Sequence, residues 1–164
     1  MKRHRTFVAL SGVLWFVVGV ILLRKGIGLL FDAGGRMHYE EAGTFPLLTL
    51  SVSLVGDIRK GVVVSALSGC IVGMAKGRCV LRKSVRRIVN RIYSLPPSFS
   101  YGEIYPKGYY FLLAGMAGMG AVMRVIPLPS DIKGFIDLSV GVALVTGAGL
   151  YFVCAAIPPV VERR

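Results

Sequence analysis

The densest concentration of binding chemistry is the stretch at 76–95, KGRCVLRKSVRRIVNRIYSL. Its cations are Lys76, Arg78, Arg82, Lys83, Arg86, Arg87 and Arg91. Between them Leu81, Val85, Ile88, Ile92 and Leu95 recur four, three, four and three residues apart, which is one face of a helix. A basic amphipathic helix buries such a stripe and offers its charged heads to phosphate oxygens. The partner expected first is an anionic lipid surface, to which each cation contributes about 1 kcal/mol. A phosphate-bearing ligand or a cytoplasmic protein would use the same charges. The plainest role is to fix topology and anchor a loop.

A second candidate is Asp137, an acid inside an apolar run. Such a group is costly in hydrocarbon and needs a partner. Arg124 and Arg24 are the cations in reach, which makes Asp137 and Arg124 a candidate intramembrane charge pair. Proton or ion coupling would require an acid nearer the middle of a span, so a lock between two helices near the interface is the simpler role.

Small residues recur every four positions at Ser65, Gly69, Gly73 and Gly77, and again at Ser139, Ala143 and Gly147. Faces of this kind let helix backbones approach closely. Trp15 shares a face with Ser11 and Gly19 and is expected in the core. His38, Tyr39, Glu40 and Glu41 read as a solvated turn rather than a cation site. Cys70, Cys79 and Cys154 have no Cys or His at metal-ligand spacing. Zinc motifs, a nucleophile elbow, a phosphate-binding glycine loop and a dinucleotide fingerprint are all missing from the sequence. No catalytic residue, metal or cofactor is expected.

These groups need elements to hold them, and the composition names the kind. The 164 residues are 54% hydrophobic and 17% charged, where ordinary soluble domains are about one quarter charged. Mean hydropathy is +0.67. Lys and Arg number 20 against 8 Asp and Glu. In so apolar a chain this excess points to an anionic membrane surface and makes nucleic acid an unlikely partner.

Four apolar runs, at about 6–23, 58–76, 108–126 and 134–157, approach the roughly 20 residues that a span needs. Arg24-Lys25 stops the first and Pro127 the third; Lys60 and Lys76 bracket the second; Pro158-Pro159 ends the fourth. The expected fold is an all-α membrane protein. A single integral membrane domain, 1–164, has four transmembrane helices and a cytoplasmic basic amphipathic helix at about 78–95. Residues 45–56 alternate apolar and polar like a strand, yet an open strand edge cannot face lipid. With Pro46 suited to a first helical turn, an interfacial or re-entrant helix leading into the second span is expected. The start, MKRHR before an apolar run, reads as an uncleaved anchor. With the N-terminus inside, the inner flanks hold nearly twice the basic residues of the outer ones. That places both termini in the cytoplasm.

An echo joins Asp57-Ile58-Arg59-Lys60-Gly61 to Asp131-Ile132-Lys133-Gly134, as two parallel hairpin repeats would produce. The KGRCVLRKS stretch, together with Trp15, Gly19, Leu22-Leu23 and Gly26 in the first run, resembles small uncharacterised bacterial multi-pass inner-membrane proteins with a KGR-x-VL-x-KS pattern. The resemblance implies a bacterial inner-membrane setting and no particular activity. The expected role is a non-enzymatic scaffold, assembly factor or complex subunit, in contact with anionic lipids and forming homo- or hetero-oligomers through small-residue faces. The alternative is a small transporter or channel acting as an oligomer.

Overall fold

With no proline before Pro46, nothing in the first apolar run interrupts a helix. In a computed structural model, which describes residues 2–37, 39, 44–82, 85, 87, 89, 118, 120, 122–123 and 125–156, this run is one helix, α1, Lys2–Arg36. Its 35 residues rise about 52 Å. The helix therefore continues through Arg24-Lys25, where the first span was expected to stop. Lys25 finds a carboxylate, as described below. Gly26 and Ala33 also carry on a small-residue series that starts at Gly12 and Gly19.

The remaining described elements are α2 at Pro46–Val55, α3 at Ile58–Lys76 with a π-helical continuation at Gly77–Leu81, and α4 at Ser130–Ala156. No strand occurs among the described residues, so 45–56 resolves its ambiguity as a helix. Three helices, Arg5–Arg36, Ile58–Cys79 and Ser130–Ala156, are long and apolar enough to cross a membrane. Of the expected third run, Gly118, Gly120, Val122, Met123 and Val125 are helical, and most of its other residues lie outside those described.

Helix α4 is the axis of the bundle. On one side α1 packs against it antiparallel. Gly12 lies against Tyr151 and Phe152, Gly19 against Gly141 and Val145, and Gly26 against Gly134 and Leu138. Both helices place small residues every seven positions, Gly12, Gly19, Gly26 and Ala33 facing Gly134, Gly141, Ala148 and Ala155. The contact is reciprocal: a Cβ on Gly19 would lie 3.1 Å from the Gly141 oxygen, and one on Gly141 only 2.9 Å from the Gly19 oxygen. Backbone meets backbone, and no larger residue fits without moving a helix.

On the other side α3 runs parallel to α4. Gly69 touches Phe135, Leu138 and Ser139; Gly73 touches Ser139 and Val142; Gly77 touches Ala143 and Thr146. The two four-residue stripes seen in the sequence thus meet each other within one chain. A four-residue repeat drifts about 40° per step around an α-helix. The wider π turn at Gly77–Leu81 advances less per residue and offsets that drift. Val85 and Val89 consequently still face inward, buried with Val8, Trp15, Leu144, Ala148 and Tyr151.

Candidate functional site

Helix α2 starts with an uncapped end. Phe45 sits at its N-cap without an acceptor side chain, and Pro46 opens the first turn. Residues 47 and 48 are left with backbone N–H groups that no helical carbonyl can take. Asp131, from the first turn of α4, takes both. Its Oδ2 accepts from Leu47 N at 2.8 Å and Leu48 N at 3.1 Å, while Oδ1 accepts from Ile132 N at 2.8 Å. The residue is fully buried. One carboxylate thus serves as the missing cap of α2 and lies at the positive ends of two helices. The sequence marked Asp131 only as part of an echo with Asp57. The two are not equivalent: Asp57 caps its own helix, accepting from Arg59 N at 2.9 Å.

Helix α2 then crosses the first turns of its neighbours. Ser51 and Ser65 share a buried hydroxyl contact of 2.7 Å, and Val52 packs on Gly61. Gly56, at φ 75°, ends α2 and turns the chain into Asp57 and α3.

At the opposite end of α4 the polarity reverses. Arg5 donates from Nε to the Ala155 carbonyl and from Nη2 to the Ala156 carbonyl, both at 2.8 Å. A cation on the last carbonyls satisfies acceptors that a helix end leaves open and complements its dipole. In the sequence Arg5 counted only towards topology.

Between these ends lies Asp137. Its partner is Lys25, with Nζ 2.7 Å from Oδ2; the side chains are 52% and 13% exposed respectively. This is one residue from the expected Arg24, and Arg124 lies outside the described residues. Oδ2 is itself buried and makes no hydrogen bond, so the contact is a charge pairing without hydrogen-bond alignment. Because α4 begins at Ser130, Asp137 stands two turns in, level with Gly69, near the middle of α3.

The basic segment presents Lys76, Arg78, Arg82 and Arg87 to the outside, whereas Lys83, Arg86 and Arg91 lie outside the described residues. Of its apolar side, Val85 is 3% and Val89 1% exposed, packed on α1 and α4, whereas the side chains of Leu81, Ile88, Ile92 and Leu95 lie outside those described. Among the described residues, no three His, Cys, Asp or Glu side chains are placed to hold a metal ion. A groove of about 490 Å³ between the end of α1 and the start of α3 is lined by Phe31, Gly35, Val62 and Val63, with Arg59 as its charged member.

No family model, curated protein or solved structure matches this chain.

Proposed function

We propose that this chain is a multi-pass integral membrane protein that acts as a non-enzymatic scaffold, assembly factor or complex subunit. The setting is a bacterial inner membrane, with both termini in the cytoplasm. The observation that carries the reading is where the polar side chains go. Asp131, Arg5, the Ser51–Ser65 contact and the Lys25–Asp137 pair each join one helix to another. Hydroxyls at Ser11, Ser139 and Thr146 donate to the carbonyl four residues back, which keeps them satisfied away from water. The chemistry of the chain holds a bundle together. Its outer surface is broadly apolar, from Leu10, Leu14 and Ile21 on α1 to Leu67 and Ile71 on α3.

An oligomer or partner contact would use the small positions still turned outward. Gly28 and Gly35 on α1 and Gly149 on α4 have nothing within 4 Å of where a Cβ would be. Extraction in a mild detergent, followed by mass determination and identification of co-purifying chains, tests the proposal. A stable homo-oligomer or stoichiometric partner is expected, and a strictly monomeric particle without partners contradicts it.

A small transporter is the second reading, favoured by the depth of the Lys25–Asp137 pair. Replacing Asp137→Asn should then abolish coupled flux in vesicles. Unchanged flux removes Asp137 from that role.

A further inference from the structure

The basic flank lies at an unexpected height. Gly77 touches Ala143 and Thr146, and Val85 and Val89 are buried with Val8, Trp15 and Tyr151. The continuation of α3 therefore stands upright beside the apolar half of α1, instead of projecting away from the bundle. Around one cross-section the surface offers Arg82 and Arg87 on this flank, Leu10, Val13 and Leu14 on α1, and Phe152 and Val153 on α4.

Among the described residues, no counter-charge for this flank lies in the same half of the bundle. Residues 58–89 contain no acid, nor do 2–31 or 138–156. The acids among the described residues are Asp32, Asp57, Asp131 and Asp137, which belong to the other half. No described acid neutralises Arg78, Arg82 and Arg87, and an anion bound there would lie against exposed aliphatic side chains at the same depth. A phospholipid has that construction, with an anionic phosphate and two acyl chains in one molecule. Guanidinium groups take phosphate oxygens in paired hydrogen bonds, and long basic side chains can draw headgroups into a locally thinned bilayer.

We propose that the flank formed by Arg78, Arg82 and Arg87 is a binding site for anionic phospholipid, where the headgroup layer dips along the side of the bundle to the depth of α1's apolar run. This rests on the membrane embedding of the chain but not on a scaffold role.

The test uses the full chain in mild detergent with added phosphatidylglycerol and phosphatidylcholine, scored by the lipid retained in native mass spectrometry. Phosphatidylglycerol should be held in preference. The triple variant Arg78→Gln, Arg82→Gln, Arg87→Gln should weaken that retention by up to about a hundredfold. The corresponding Arg→Lys triple, which keeps the charge but not the paired hydrogen bonds, should fall between the unaltered chain and the Gln triple, and Arg59→Gln should change nothing. Cys79, exposed on the same flank, reads depth in a Cys70→Ala, Cys154→Ala background. A spin label there in phosphatidylglycerol vesicles should meet a water-soluble relaxation agent, while one at Val13→Cys should meet oxygen. Equal retention of the two lipids overturns the proposal. So does an acidic protein that co-purifies and is released by the Gln triple, or a Cys79 label that sees only oxygen.

Discussion

The two seams along α4 use the same kind of residue and reach different ends. On the α1 side, small residues every seven positions bring two antiparallel backbones together, each helix's glycine lying against the other's carbonyl. On the α3 side, small residues every four positions hold a parallel neighbour. There Gly69 meets side chains at 3.2–3.4 Å, whereas Gly73 and Gly77 meet the backbone of Ser139 and Ala143, so both seams are backbone-limited and differ in how long a face stays aligned. Spacing sets this difference. A seven-residue repeat nearly matches two helical turns and keeps a face aligned over a long, shallow crossing. A four-residue repeat drifts, and here it needs the π turn at Gly77–Leu81 to stay in contact. Both sides of α4 therefore depend on glycine, at Gly19 and Gly26 on one and at Gly73 and Gly77 on the other.

Substitution costs most wherever glycine lies against backbone, at the heptad positions of α1 and α4 and at Gly73 on α3. Gly141→Val or Gly26→Val should cost about 3 kcal/mol or more, because a Cβ on Gly26 already falls 2.5 Å from the Leu138 nitrogen. Denaturation in mixed micelles, followed by helix content, measures this. Next comes Asp131→Ala. It orphans the N–H groups of Leu47 and Leu48, and at about 1–3 kcal/mol for each unsatisfied group the loss should be about 2–6 kcal/mol. Asp131→Asn keeps an acceptor and should lose less. Lys25→Met should cost about 1–2 kcal/mol, moderated because Lys25 is half exposed. Adding Asp137→Leu should recover most of that loss. The smallest effects belong to Gly69, which meets only side chains, and to the outer face: Gly69→Ala should cost under about 1 kcal/mol. Gly28→Ala, with open space at its Cβ, should be neutral or gain about 0.5–1 kcal/mol from helix propensity.

Much of this bundle was legible before the structure. Apolar runs with charged or proline ends located α3 and α4, and the four-residue stripes named the residues of their seam. Trp15 and Ser11 are buried as their shared face implied. What escaped was non-local. Arg24-Lys25 reads as the end of a span because the carboxylate that accommodates Lys25 lies 112 positions away, on α4. Asp131 carried a local sign, an acid opening a helix, but nothing near it in sequence says that Phe45 leaves α2 uncapped and that Asp131 supplies the cap. The heptad series was overlooked because shorter-period stripes on the same helices are more conspicuous. Of the apolar stripe Leu81, Val85, Ile88, Ile92 and Leu95, expected to face lipid, Val85 faces protein, and the other four side chains lie outside those described. A helix face facing lipid and one facing a neighbouring apolar helix have the same composition, so periodicity cannot distinguish them.

The central claim is the antiparallel alignment of α1 with α4, since it sets the height of every charge in the bundle. Spin labels on the exposed residues Leu10, Val140 and Val153 test it in the full chain in vesicles, by pulsed electron–electron distance measurement. The account predicts that the 10–153 pair is much the closer. The 10–140 pair should be longer by an amount approaching the roughly 20 Å that 13 helical residues rise. A shorter distance from 10 to 140 than from 10 to 153 would contradict it.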